Sequence, residues 1–164
     1  MMASGKSVTG PLLAKKIGYR FIDSDNVIEQ VAKKKISKIF IEDGEKTFRN
    51  IEKKVLHEIG SNHSLVISTG GGIVTSSSNW GILHQGIVIW LDLTKGKIIS
   101  RLKNDHLNRP MLEGGQNLET VVDKLLNERI PLYKEADLRV SVEDETPSDV
   151  AEKIIKMLPD ILNS

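Results

Sequence analysis

The residues whose types and order most clearly indicate a chemical role lie near the start of the chain, where Gly5, Lys6 and Ser7 occur in succession. They match the end of the pattern G-x-x-x-x-G-K-[ST], whose first glycine would stand just before Met1 and is absent from this sequence. Backbone N–H groups from Ser4 to Ser7 can cradle phosphate oxygens, while Lys6 can reach the β- and γ-phosphates and the Ser7 hydroxyl can bind Mg²⁺. The alternative is a flexible N-terminal tail, because the triplet alone has low specificity.

A pair of carboxylates follows a short apolar segment further along the chain. Asp23 and Asp25 flank Ser24, and positions two apart in an extended segment point the same way. One carboxylate can therefore organise Mg²⁺ through water while the other receives a hydroxyl proton. The alternative is helix capping by Asp25, ahead of an apparent helix at residues 26–32.

A run of three glycines, Gly70, Gly71 and Gly72, follows another apolar segment. Without side chains, their backbone N–H groups can approach an anion or a sugar-like ligand closely. A flexible turn is the alternative, although ordering three glycines is costly for a turn alone.

Three arginines are candidates for binding negative charge. Arg49 and Arg129 lie in helical patterns, and two guanidinium groups that converge on one pocket can grip a carboxylate. Arg109 lies in a glycine-bearing segment, where an arginine in a lid can close over phosphates and stabilise the charge that builds up during transfer. Each could instead be an ordinary surface arginine.

Composition narrows the classes of function. The 164 residues, with 23 basic and 22 acidic side chains, have a net charge of +1, which argues against a nucleic-acid-binding protein. Cysteine is absent, which fits a reducing compartment, and no apolar run approaches the ~20 residues of a membrane span. No sustained heptad pattern indicates an obligate oligomer, so a monomer is expected. We therefore predict a cytoplasmic protein of one domain, residues 1–164.

The elements that must position these groups alternate between helix and strand. Apolar periodicity predicts a helix over residues 6–17 that ends at Gly18, and strands near residues 19–22, 65–67, 87–91 and 138–142 with helices between them. Strands separated by helices indicate crossovers, hence an α/β fold with a mainly parallel sheet covered on both faces. Since ligands bind outside the carboxyl ends of such strands, the aspartates and the glycine run are expected at one edge.

Together these motifs resemble the shikimate kinase family. The matching segments, in the order of the family, are Ser4-Gly5-Lys6-Ser7, Phe21-Ile22-Asp23-Ser24-Asp25, Ile39-Phe40, Gly44-Glu45, Phe48-Arg49, Ser68-Thr69-Gly70-Gly71-Gly72, Trp90-Leu91-Asp92, Asn108-Arg109-Pro110-Met111-Leu112 and Glu128-Arg129-Ile130-Pro131-Leu132-Tyr133. The resemblance implies a three-layer P-loop kinase-like fold and ATP-dependent phosphorylation of shikimate to shikimate 3-phosphate, with Mg²⁺, in the shikimate pathway of aromatic amino acid biosynthesis. In a photosynthetic eukaryote it would imply the plastid stroma.

The resemblance also assigns roles to residues. The implied ATP site comprises Ser4, Gly5, Lys6, Ser7 and Arg109, and the implied metal ligands are Ser7 and Asp23. The implied substrate site comprises Asp25, Arg49, Gly70, Gly71, Gly72 and Arg129. The implied catalytic residues are Lys6, Asp25 as the base, and Arg109 as the lid arginine. A substrate-binding subdomain would span about residues 26–60, and a lid about residues 104–116.

One departure from the family pattern concerns the sheet. The family has a hydrophobic central strand before the phosphate loop, and this sequence has none, so we expect a gap between the strands that begin near Leu65 and Ile87. We expect either that Met1 or Met2 is an internal methionine of a longer protein, or that the short chain is poorly active or needs a partner strand. Two other functions stand beside phosphorylation of shikimate. The chain could be a truncated or degenerate domain that binds a metabolite or partner without turnover, or a kinase for another hydroxy acid such as gluconate.

Overall fold

The structure, a computed structural model, describes residues 1–104 and 117–162, in which helices alternate with short parallel strands. The helices are α1 (Lys6–Ile17), α2 (Ser24–Ala32), α3 (Ile36–Lys38), α4 (Gly44–Gly60), α5 (Ser77–Leu83), α6 (Lys95–Asn104), α7 (Leu118–Tyr133) and α8 (Pro147–Leu162). The strands are β1 (Arg20–Asp23), β2 (Leu65–Ser68), β3 (Ile89–Asp92) and β4 (Leu138–Ser141). A π-helical segment spans Ile39–Asp43, and a 3₁₀ turn spans Ile73–Thr75.

The strands form two separate parallel pairs. β1 pairs with β2 so that Asp23 lies beside Ser68, and β3 pairs with β4 so that Asp92 lies beside Ser141. Among the described residues β2 and β3 are not paired with each other, which confirms the expected gap. Because β1 and β2 run parallel, the segments that follow Asp23 and Ser68 leave the sheet at the same edge.

Helix α1 joins the two halves of the fold, one built on β1 and β2 and the other on β3 and β4. It contacts β1 and β2 and also packs against α8, which in turn contacts β4. Gly10 permits the close approach to the first pair, because a Cβ atom there would lie 2.5 Å from Phe21 Cε2 and 2.9 Å from Ser68 Oγ. The predicted helix over residues 6–17 is confirmed, and Gly18 ends it with a left-handed φ of 73°.

Two apolar clusters support these elements. The larger one surrounds β3 and β4 and includes the buried residues Trp80, Trp90 and Val140. The smaller one comprises Ile28, Ile39, Phe48, Val55 and Ile59 and lies beneath α2, the π-helical segment and α4. No helix in the described part of the chain is long and apolar enough to cross a membrane.

Candidate active site

The first residues form a loop that side chains stabilise from within. Ala3 and Gly5 adopt left-handed φ values of 54° and 88°. Ser4 is 2% exposed, and its Oγ donates a hydrogen bond to the Met1 carbonyl at 2.8 Å. Lys6 Nζ donates to the same carbonyl at 2.6 Å and to Ser4 Oγ at 3.0 Å. The loop thus leads directly into the N-terminus of α1, where backbone N–H groups and the helix dipole favour an anion.

Two residues outside the motif fix this loop in place. Arg101 of α6 donates from Nη1 to the Ala3 carbonyl at 3.1 Å, and Ser68 at the end of β2 donates from Oγ to the Lys6 carbonyl at 2.9 Å. The loop is therefore connected to both halves of the fold.

The structure brings Ser7 and Asp23 together. Ser7 Oγ donates to Asp23 Oδ2 at 2.7 Å, while Asp23 Oδ1 accepts a hydrogen bond from the Asp25 backbone N–H at 3.0 Å and caps α2. Capping by Asp25, the alternative drawn from the sequence, is wrong: Asp25 lies in the first turn, because β1 continues through Asp23 and the helix starts at Ser24.

The Ser7–Asp23 pair suits Mg²⁺ chemically. Hydroxyl and carboxylate oxygens are the hard ligands that Mg²⁺ prefers, and this ion typically uses one or two protein groups together with water and substrate phosphates. The described residues contain no cluster of three or more His, Cys, Asp or Glu side chains that could hold a metal ion by themselves. The donor set therefore fits a metal held jointly with phosphate.

Two carboxylates converge on the glycine segment, residues 70–72. A Cβ atom on Gly70 would lie 3.0 Å from Asp25 Oδ1 and 3.3 Å from Glu52 Oε1. Glu52 is 1% exposed, and this burial raises the pKa of its carboxyl group, against which the hydrogen bond and charge of Arg49 act. The edge predicted for Asp25 and Gly70 thus also contains a buried acid.

Arg49 reaches the same place from α4. Its Nη1 donates to Glu52 Oε2 at 2.7 Å, and its Nη2 forms an ion pair with Glu45 Oε1 at 3.2 Å. The guanidinium lies directly against Gly72, where a Cβ atom would stand only 2.5 Å from Nη2. A Cβ atom at this position would therefore push the arginine side chain out of its place.

Arg129 approaches from α7 and is 4% exposed, so it is not a surface arginine. Its positive charge acts to lower the pKa of the Glu52 carboxyl group, against the effect of burial. Burial raises the pKa of the Tyr133 hydroxyl, and Arg129, which hydrogen-bonds to that hydroxyl, acts against the rise. Two cations from separate helices therefore meet around one buried acid beside the glycine segment.

Sequence reasoning missed Glu52 and gave Tyr133 no role. The signal for Glu52 was its place on the apolar face of α4, which otherwise buries Phe48, Val55 and Leu56. Tyr133 donates from its hydroxyl to the Gly71 carbonyl at 2.5 Å, a contact between residues 62 positions apart. Arg109 and the predicted lid, apart from Asn104, lie outside the described residues.

Comparison with known proteins places this geometry in context. A family model described as shikimate kinase matches residues 2–159. A shikimate kinase of Prochlorococcus marinus (strain NATL2A) is 56% identical over 162 residues, which cover 99% of this chain and 81% of that protein. A shikimate kinase of Synechococcus sp. (strain CC9902) is 52% identical, with 99% of this chain and 84% of that protein covered.

Solved structures of shikimate kinases are also similar to this chain. The structure of shikimate kinase from Acinetobacter baumannii in complex with shikimate has a TM-score of 0.92 and 37% identity, over 97% of this chain and 89% of that chain. The shikimate kinase from Aquifex aeolicus has a TM-score of 0.82 and 27% identity, over 98% of this chain and 92% of that chain.

Proposed function

The chain belongs to the shikimate kinase family, and we propose that it transfers the γ-phosphoryl group of ATP to a hydroxyl group of shikimate, giving ADP and shikimate 3-phosphate. The observation that carries the proposal is the meeting of Arg49 and Arg129 around the glycine segment, beside Asp25 and next to the phosphate loop. Two cations at one site suit the carboxylate of an acid substrate, and the loop suits a nucleoside triphosphate.

The substrate would be positioned by charge and by backbone. Arg49 and Arg129 grip the carboxylate, and the absence of side chains at residues 70–72 lets the ring lie close to the backbone. Glu52 Oε2, 2.7 Å from Arg49 Nη1, orients one of the two guanidinium groups. Such positioning matters because phosphoryl transfer needs little covalent help from the protein.

The transfer itself would involve few protein groups. The substrate hydroxyl oxygen attacks the γ-phosphorus, its proton passes to the Asp25 carboxylate, and the bond to the β,γ-bridging oxygen breaks to release ADP. Lys6 neutralises charge on the β- and γ-phosphates. Ser7 and Asp23 would hold Mg²⁺, which when bound neutralises phosphate charge. A lid role for Arg109 remains a prediction from the family resemblance.

The decisive experiment measures ADP release with ATP and Mg²⁺ in the presence of either shikimate or gluconate. We expect ADP release with shikimate and none with gluconate. The Lys6→Met variant should release no ADP with either, because a neutral side chain cannot stabilise the developing phosphate charge. Shikimate binding without ADP release would favour a degenerate domain that binds a metabolite without turnover. Turnover with gluconate would favour a kinase for another hydroxy acid.

We also propose that the protein acts as a monomer in the cytoplasm, with residues 26–60 as the substrate-binding part and residues 104–116 as the lid.

A further inference from the structure

The backbone carbonyls of residues 71–74 are each held by a different side chain. The donors are Tyr133 Oη to Gly71 at 2.5 Å, Thr75 Oγ1 to Gly72 at 2.7 Å, Asn79 Nδ2 to Ile73 at 2.8 Å and Trp80 Nε1 to Val74 at 3.2 Å. Three of these donors lie on α5 and α7, and Thr75 lies on the 3₁₀ turn itself. Gly71 and Gly72 are therefore anchored through their carbonyl oxygens, although they have no side chains, and the two residues that follow them are anchored in the same way.

Tyr133 is distinctive among these donors because its hydroxyl has two partners. It donates to the Gly71 carbonyl, and it accepts a hydrogen bond from Arg129, one turn earlier on the same face of α7. A hydroxyl has one hydrogen to donate and lone pairs that accept, so both bonds can exist together. Its ring is 6% exposed and stacks on Trp90 with centroids 5.7 Å apart, which leaves the hydroxyl little freedom to move.

The two partners of this hydroxyl are both parts of the proposed substrate site. All peptide bonds of the described chain are trans, so fixing the Gly71 carbonyl toward α7 turns the Gly72 N–H to the opposite side. The same hydroxyl sets where the Arg129 guanidinium stands. One side chain thus fixes the spacing between a cation that grips the carboxylate and the backbone that lies against the ring.

We propose that Tyr133 is a positioning residue for the acid substrate, acting through Arg129 and the Gly71 carbonyl. The inference rests on the proposed function, since it assumes that Arg129 and the glycine segment bind shikimate. The hydroxyl is hydrogen-bonded to Gly71 and to Arg129, both in the proposed substrate site, so we expect its effect to fall on the acid substrate.

The test is Tyr133→Phe, which keeps the ring and removes the hydroxyl. We expect KM for shikimate to rise about tenfold, equivalent to about 1.4 kcal/mol, while kcat and KM for ATP stay within twofold. Tyr19→Phe is the matched control, because Tyr19 is 47% exposed and should leave every constant unchanged. An unchanged KM for shikimate, or parallel losses in kcat, in both KM values and in melting temperature, would overturn the proposal.

A double-mutant cycle separates action through Arg129 from general damage. In an Arg129→Lys background, removing the hydroxyl should raise KM less than threefold, because the arginine that it positions is already gone. A full tenfold effect in that background would count against the proposal. Failure of the proposed function would be visible in the wild-type protein itself, as absence of turnover with shikimate.

A second measurement keeps the inference testable if Tyr133→Phe does not fold. The sequence contains two tyrosines, so wild-type protein labelled with 3-fluorotyrosine should give two ¹⁹F resonances, assigned by Tyr19→Phe. We expect shikimate to shift the Tyr133 resonance and leave that of Tyr19 in place. A Tyr133 resonance that does not move at saturating shikimate would refute the assignment.

Discussion

Replacement of Gly72 by alanine isolates the contact between the glycine segment and Arg49. The backbone at Gly72 has φ −91° and ψ −3°, a negative φ that alanine also adopts, so the change acts mainly through its methyl group. That methyl carbon would stand 2.5 Å from Nη2, 2.7 Å from Nη1 and 2.9 Å from Cζ of Arg49. The arginine must give way, because it is the end of a flexible side chain.

The required movement can be worked out from these distances. Ordinary van der Waals contact begins at 3.4 Å, so the guanidinium must retreat by about 0.9 Å. A shift of that size is enough to lengthen the 2.7 Å bond from Nη1 to Glu52 to about 3.6 Å, beyond hydrogen-bonding range. Since misplacing a positioning group by about 1 Å can cost about 100-fold, we expect KM for shikimate to rise about 10- to 100-fold.

The assay is ADP release as a function of shikimate concentration, with melting temperature measured in parallel. Gly81→Ala is the control: Gly81 lies in α5 with nothing within 4 Å of a Cβ atom, so this change should leave KM unaltered and stabilise the helix by about 0.5–1 kcal/mol. If Gly72→Ala bound shikimate as wild type does, Arg49 would not be gripping the substrate from the position seen here.

Substitutions at Arg49 and at Glu145 test the contributions of two ion pairs, those with Glu52 and with Lys153. Arg49→Ala should raise KM for shikimate and lower the free energy of unfolding by about 3 kcal/mol, because it leaves the Glu52 carboxylate buried without its arginine. Adding Glu52→Gln should restore the stability but not KM, and an unchanged KM in either variant would contradict the carboxylate grip. The hydrogen bond from Lys153 lowers the pKa of Glu145 from 4.5 to about 2, so its stabilising contribution is present above pH 4.5 and is lost as the pH falls toward 2. Thermal melts of wild type and Glu145→Gln should therefore converge between pH 5 and pH 2, and a pH-independent difference would show that Lys153 does not hold this carboxylate.

The parts of the fold that local patterns specify could be predicted from sequence. Helix α1 was predicted with both of its ends, because Gly18 supplies the left-handed residue that stops it. Helix α4 begins at Gly44, where φ is 80°. The preceding π-helical turn, Ile39–Asp43, was not predicted, because an i to i+5 pattern over five residues leaves no clear periodic signal.

Contacts that depend on tertiary packing were harder to predict. The convergence of Asp25 with the glycine segment followed from the order of strands alone. Glu52 did not follow, because a charged residue in a helix is ordinarily assigned to the solvent-facing side. The assignment of the helix cap to Asp25 failed because α2 begins at Ser24, two residues before the helix expected at residues 26–32, so that Asp23 is the residue that caps it.

The division of the strands into two pairs has a thermodynamic consequence. With no hydrogen bonds between β2 and β3 in the described chain, cooperation between the halves passes through helix packing: α7 contacts the 3₁₀ turn that follows β2, and α1 contacts β1, β2 and α8. The N-terminus of that helix is also the phosphate loop. A nucleotide that binds only the folded loop would therefore shift the unfolding equilibrium of both halves together, so occupancy and global cooperativity become one linked property.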